Sequence, residues 1–400
     1  MTQNKTSTPN YLKYLNKKKV LRYIQQNKNV SRADVASALL ISKPTVSSVV
    51  EELIAEGWVE ERESDTANSA GGRKPIQLSF NANKQYIAAV DIGGTHVELG
   101  ILNMNGELLI RDRFETQLSS ETLVDQICVR IQKIISKVYL TLENLMAIGV
   151  GAPGITDTRQ GIVLEAPSLG WMNYPLKEEI EKSLNIPVYI DNDVNVSVLG
   201  EQWKGKAKEA DNIILISLGT GVGCGIIVNG QLYRGSSFAA GEIGYMVTDK
   251  NEAKQGYNEI FEGYGFLDSH VGGPSIVQRM KTKLVTGKDN QNLRNHQELT
   301  AKHIFQLAKE NNPAASEVIE ETLDHIAFAL VNVICIFNPQ YVILGGGISK
   351  SGNWFLPKVQ EILAEQLPFT TNISITELDG LSLIGAAALC LQEHDSILKN

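Results

Sequence analysis

The chain has four cysteines, Cys128, Cys224, Cys335 and Cys390, all far apart, with no CxxC or Cys/His spacing among them. The pattern specifies neither a disulfide framework nor a thiolate metal site, and a reducing cytoplasm is the simplest home for it. A membrane-length apolar run is missing too. The most apolar stretch, Ile326 to Phe337, is too short to span a bilayer and is interrupted by Asn332. The opening MTQNKTSTPN is polar and lacks the apolar run of a signal peptide, so no membrane partner is expected. Acid is scarce at one end: residues 1 to 50 carry nine Lys or Arg against one acid, Asp34. Residues 1 to 82 hold 12 basic and 8 acidic side chains, while the whole chain is at −8. A basic head on an acidic body points to a polyanion partner for the head alone. At 400 residues the chain exceeds one compact core, and two or three domains are expected.

The head reads as three helices and a hairpin. Val20, Leu21 and Ile24 recur at helical spacing within Lys17 to Asn27, and Ser31 followed three residues later by Asp34 opens a second helix that ends near Leu39. After a short join at Leu40 to Ser42, Val46, Val49, Val50, Leu53 and Ile54 form the apolar stripe of a third helix. Its first turns present Lys43, Pro44, Thr45, Ser47 and Ser48, small or cationic groups able to approach a base edge or a phosphate. Gly57 ends that helix, Trp58 to Arg62 and Ile76 to Phe80 read as paired strands, and the tip between them finishes Gly71-Gly72-Arg73-Lys74-Pro75. This is the pattern of a winged helix-turn-helix whose wing places Arg73 and Lys74 against DNA. The competing reading is a small helical docking domain with a solvated hairpin, and the segregated charge stands against it.

The body contains one pattern twice. The strand Tyr86 to Asp91, a turn Gly93-Gly94-Thr95, a strand Val97 to Leu102 and a third strand after Asn105-Gly106 are matched by Ile213 to Tyr233, with Gly219-Thr220-Gly221 and Asn229-Gly230 at the turns. Two copies of one unit imply a duplicated fold with a cleft between its halves, each offering a glycine-threonine loop to a polyphosphate. Asp91 would then hold Mg²⁺, although DIGGT also suits a tight hairpin with a buried Asp. Asp191 to Tyr245 collects further polar signals: Asn192 and Asp193 at a strand end, the loop Gly219 to Gly223, and Glu242 in a glycine turn. Taken singly, NDxN often caps a helix and GTGxG often makes a hairpin. Gly345-Gly346-Gly347 follows a buried strand, where a flat ring could approach the backbone or a plain turn could form.

Together the GGRKP wing, DIGGT, GAPG at Gly151 to Gly154, DNDVN, SLGTGVGCGII, AAGEIGY and LGGGIS resemble the ROK family of repressors and sugar kinases over nearly the whole chain. Its DNA-binding head is similar to those of xylose and N-acetylglucosamine-type repressors. The resemblance implies a fold of class α/β: a winged helix-turn-helix at 1–82, then a two-lobed, ribonuclease H-like, actin- and hexokinase-like body, with lobes at 83–196 plus 381–400 and at 197–380. It implies sugar contacts at Asn192, Asp193, Glu242 and Glu262, with Asp193 at the catalytic-base position, nucleotide contacts at the glycine loops, and a homodimer or dimer of dimers. The family also has a histidine after GEIG and a cysteine cluster beyond it that together hold zinc. Here that position is Tyr245, and Met246 to Phe261 contain neither Cys nor His, so no zinc is expected and Tyr245 and Tyr257 are expected to shape the pocket. The expected function is a repressor of carbohydrate genes, with operator DNA and a sugar or sugar-phosphate inducer as partners and no required cofactor. The alternative is an ATP-dependent sugar kinase, with Mg-ATP, that carries an accessory head.

Overall fold

The computed structural model describes residues 9–63, 76–116, 123–208, 210–257, 263–286 and 299–398. The head holds the helices Pro9–Gln26, Arg32–Leu39 and Lys43–Ala55. The first begins well before the expected Lys17. Ser31 caps the second helix: its Oγ accepts from the Asp34 amide while the Asp34 carboxylate takes the Ser31 amide at 2.8 Å. Ser42 caps the third, accepting from the Thr45 amide at 3.3 Å. Val46, Val49, Val50 and Leu53 turn inward against Val20, Leu21 and Ile24. The strands Val59–Glu63 and Ile76–Phe80 pair antiparallel, with Val59 opposite Phe80. The wing tip with Arg73 and Lys74 lies outside the described residues.

The body contains two five-stranded sheets of the same topology. The first is built, in chain order, from Tyr86–Ile92, His96–Asn103, Leu108–Glu115, Leu145–Ala152 and Val188–Asn192. The second uses Ile213–Leu218, Val222–Val228, Gln231–Leu232, Tyr341–Gly345 and Asn372–Ile375. In both, the order across the sheet is third, second, first, fourth, fifth; the first strand pairs antiparallel with the second and parallel with the fourth. The repeat expected from Tyr86 and Ile213 onward is therefore a repeat of whole sheets. Leu145–Ala152 is buried along its full length, as a strand covered on both faces must be. A small antiparallel sheet, Ile155–Asp157, Ile162–Ala166 and Trp171–Tyr174, follows it.

Between the sheets lie the helices Asp193–Lys204 and Leu381–Glu393, packed on each other. They touch backbone to backbone. A Cβ on Gly385 would sit 1.7 Å from the Val196 carbonyl oxygen, and one on Gly200 would sit 2.7 Å from that of Leu381. The helix Asp193–Lys204 runs unbroken through the expected lobe boundary at 196/197. Leu383, Ile384, Ala386, Ala387 and Cys390 of the last helix belong to one apolar cluster with the core of the head, through Ile87, Ala89, Leu102 and Met104. Replacing Gly385 with Ala forces these helices apart; overpacking of this kind costs about 1–3 kcal/mol. Thermal unfolding of the variant is expected at lower temperature than the parent, and an unchanged melt contradicts the close packing.

Candidate functional site

The cleft is built where strand ends and helix starts meet. Asp91 lies near the end of Tyr86–Ile92, and Asp193 is the first residue of the helix Asp193–Lys204. In DNDVN each polar residue has a separate task. Asp191 is buried and forms a 2.7 Å ion pair with Arg234 Nε, and its Oδ1 accepts from Asn195 Nδ2 at 2.9 Å. Asn192 caps the helix: its Oδ1 accepts from the amides of Val194 and Asn195, and its Nδ2 donates to the Gly154 carbonyl. The capping role open to NDxN is thus filled by Asn192. Asp193 is left facing the other acids, with Oδ1 accepting from the Val194 amide at 2.9 Å.

Those acids form a connected group. Burial, followed by the charge of Asp91 and then that of Glu242, raises the Asp193 carboxyl from 3.8 to about 7 against the pull of backbone amides. Asp91 is raised to about 6 by burial, with a hydrogen bond from Ser382 opposing and Glu98 adding to the rise. Glu242 is raised by burial and then by the charges of Asp268 and Glu165. Asp193 and Glu242, assigned from their motifs, are therefore within electrostatic reach of each other. Asp268 and Glu165 join them, and neither stood out in the sequence. Asp268 Oδ1 accepts from the Val222 amide at 2.7 Å and its Oδ2 from Gly265 at 3.1 Å, which ties the 219–223 loop to the segment after Tyr257. Glu262 lies outside the described residues.

Glycine sets the wall. Gly241 has φ +97°, and a Cβ there would meet the Cys224 carbonyl oxygen at 1.9 Å, so only glycine lets the Glu242 turn dock on the strand Val222–Val228. Tyr245 is 59% exposed and donates from its hydroxyl to the Gly263 carbonyl at 2.7 Å, while Tyr257 packs edge-on against Phe266 at 5.3 Å. Both rings brace the segment around 263–266, and Tyr245 also lies close enough to Glu242 and Asp268 to feel their charge.

The phosphate-type loops are less uniform. In the first, the Gly93 amide is spent on the His96 carbonyl at 2.9 Å and Thr95 Oγ1 lies 3.1 Å from His96 Nδ1, which is hairpin geometry. Ser168 covers Gly94. In the second, Gly219 donates to the Gly221 carbonyl and accepts from the Gly273 amide, with Thr220 between them. Gly345 ends its strand and Gly346 and Gly347 begin the turn Gly346–Ser349. Gly346 has φ +85° and would strike the Leu218 carbonyl with a Cβ at 2.4 Å, whereas Gly347 faces open space. A Cβ on Gly219 would meet nothing nearer than 4.0 Å and one on Gly347 nothing within 4 Å, so the backbone is open at both, and the acids around Asp91 form a donor set suited to a hard dication such as Mg²⁺. In the head, Lys43, Pro44, Thr45 and Ser48 are exposed and Ser47 is half-buried at the start of Lys43–Ala55.

The raised carboxyls set a pH dependence. An unfolded aspartate titrates near 4, so between that value and about 7 the folded Asp193 holds more protons than the unfolded chain, and stability falls as pH rises through this window. Asp193→Asn removes that contribution. Its gain in melting temperature over the parent is expected to be larger at about pH 8 than at about pH 5; an equal or reversed gain contradicts the crowded carboxylates.

Comparison with known proteins identifies the family. The sequence pattern of the ROK family matches residues 87–393, and that of the MarR family matches 16–67. The chain is 32% identical to the xylose repressor of Caldicellulosiruptor bescii over 359 residues, covering 89% of this chain and 88% of that one. It is 31% identical to the glucokinase of Halalkalibacterium halodurans, covering 79% of this chain and 98% of the other. Among solved structures, a ROK family transcriptional regulator described as a homolog of the E. coli MLC protein superposes with a TM-score of 0.79 over 94% of this chain and 95% of that one; at 24% identity this is a likeness of fold. The family match spans most of the sequence and the fold agrees with it: the chain belongs to the ROK family.

Proposed function

We propose that the protein is a sugar-responsive, DNA-binding transcriptional repressor of carbohydrate genes, released from its operator when a sugar or sugar phosphate enters the cleft. One observation carries the reading: a single chain joins a basic winged helix, with exposed Lys43, Thr45 and Ser48 at a helix start, to a cleft crowded with Asp193, Glu242 and Asp268. Among the described residues these carboxylates have no ion-pair partner, and such groups are poised for ligands rich in hydroxyl donors, because hydrogen bonds to ionised acceptors are the strong ones. The similarity to a protein named xylose repressor favours xylose or a related sugar as inducer. A homodimer or dimer of dimers reading a palindromic operator suits a helix-turn-helix head. Arg73 and Lys74 would reach the DNA backbone or minor groove from the wing.

A second reading, an ATP-dependent sugar kinase, is favoured by Asp193, whose carboxyl at about 7 suits a general base. Asp91 would hold Mg²⁺, the loops at Gly219 to Gly221 and Gly345 to Gly347 would take the nucleotide, and Mg-ATP would supply the phosphoryl group. Transfer depends on positioning, and the wall that orients the sugar has Tyr245 in place of the family's histidine, so slow turnover or none is expected.

Asp193→Asn separates the two readings. Leaving sugar hydroxyls unpaired costs about 1–3 kcal/mol, a tenfold or greater loss of affinity. The variant is expected to bind operator like the parent in gel-shift assays and to resist release by sugar. Unchanged sugar affinity by calorimetry contradicts the placement of the sugar. ADP release by the parent at about 1–100 per second, abolished by Asp193→Ala, would make the kinase reading the main one.

A further inference from the structure

Beside the cleft, folding assembles three side chains that the sugar and DNA functions leave unused. Glu252 on the helix Lys250–Gln255, His270 on Asp268–Val271 and His325 on Pro313–Phe337 bring one potential ligand atom each within 4.8 Å of the others. Two of the three are remote in sequence from Glu252, and both lie outside the 246–261 stretch whose lack of Cys and His argues against the family's zinc.

The hydrogen bonds around the rings set which atoms are on offer. His270 is buried, and its Nδ1 lies 2.6 Å from the Phe266 carbonyl oxygen, which can only accept, so Nδ1 carries the proton. Its Nε2 therefore presents a lone pair, 2.9 Å from Glu252 Oε1, another acceptor. Two acceptors facing each other are joined by a proton or by a metal ion. His325 stands at the same point: its Nδ1 is held by Thr248 Oγ1 at 2.7 Å, which leaves Nε2 to offer, and its ring lies 4.4 Å from that of His270. A proton joins two groups only, whereas a metal ion takes the third donor atom that this packing brings alongside.

Charge and support agree. Around the rings stand the carboxylates of Glu252 and Asp249 and the guanidinium of Arg279, itself paired with Glu321 at 3.1 Å, so the acids outnumber the cations. Phe266 stacks on His270 at 4.2 Å and meets His325 edge-on at 5.9 Å, which fixes both rings. Phe266 O and Thr248 Oγ1 act on the ring nitrogens opposite the offered ones, as the outer partners of metal-bound histidines do.

We propose that Glu252, His270 and His325 form a zinc site that clamps the segment following the Glu242–Tyr245 turn onto the helix bearing Asp268. Two imidazoles and one carboxylate with a fourth position left for water suit tetrahedral zinc. Bonds of about 2.0–2.1 Å place its ligand atoms roughly 3.3 Å apart, a closure of at most about 1.5 Å from the present spacing. The exposed Glu252 on a one-turn-and-a-half helix can supply that movement.

The test uses the full-length chain, stripped with chelator and titrated with zinc in competition with a chromogenic indicator. One zinc per chain is expected, with a rise in melting temperature and an X-ray absorption spectrum of nitrogen and oxygen neighbours only. Glu252→Gln, on an exposed side chain, is expected to weaken zinc at least tenfold with the apo melting temperature unchanged, and His325→Gln to abolish stoichiometric binding. Cys335→Ser, which removes the exposed thiol, should leave binding unchanged. No uptake by the parent, sulfur in the coordination shell, or full retention by both ligand variants overturns the proposal; no uptake would leave His270 and Glu252 as an ordinary ion pair.

Discussion

The backbone contact between the helices Asp193–Lys204 and Leu381–Glu393 is the constraint on which the rest of the molecule depends. Gly200 and Gly385 let the two run closer than side chains allow, and the pair sits between the duplicated sheets. The first helix starts at Asp193. The second begins at Leu381, and its Ser382 reaches both Asp91 and, at 3.2 Å, Ser197. Two carboxylates that repel each other are thereby held on adjoining elements, and burial raises both. The cleft stores electrostatic tension that a proton, a dication or the hydroxyls of a sugar relieves.

The same helix connects that tension to the head. Its apolar face, Leu383 to Cys390, shares one cluster with Ile87 and Ala89 of the first sheet and with Val20, Leu21 and Leu53 of the head. A ligand that shifts the Asp91 and Asp193 ends of the seam acts on a close-packed body in contact with the DNA-binding element. Packed interiors transmit such displacements because they have little room to absorb them. The size of the coupling is the differential affinity of the sugar for the operator-bound and operator-free forms.

Local chemistry was legible in the sequence wherever a few adjacent residues decide it. Ser31 and Asp34 form the expected capping box, the stripe Val46 to Leu53 is buried, and the two copies of strand, glycine turn and strand are the leading strands of two equivalent sheets. What the sequence left open depends on distance along the chain. The helix cap by Asn192 is local, but its second bond, from Nδ2 to the Gly154 carbonyl 38 residues away, is not. Asp268 lies in an unremarkable LDSHV stretch and gains meaning only because Val222 and Gly265 donate to it and Glu242 lies near. His270 and His325 meet through tertiary packing with no spacing to announce them. The third strands follow Asn105-Gly106 and Asn229-Gly230 as expected, whereas the small sheet Ile155 to Tyr174 is not announced by any local pattern and, among the described residues, pairs only with itself.

The central claim is that sugar hydroxyls donate hydrogen bonds to the crowded acids at the start of the Asp193 helix. A structure of the chain with a monosaccharide selected by its effect on melting temperature tests this most directly. The account predicts the sugar in the cleft with hydroxyls in hydrogen-bond contact with Asp193 and Glu242. A sugar bound elsewhere, with those two carboxylates still facing only each other and solvent, would contradict it.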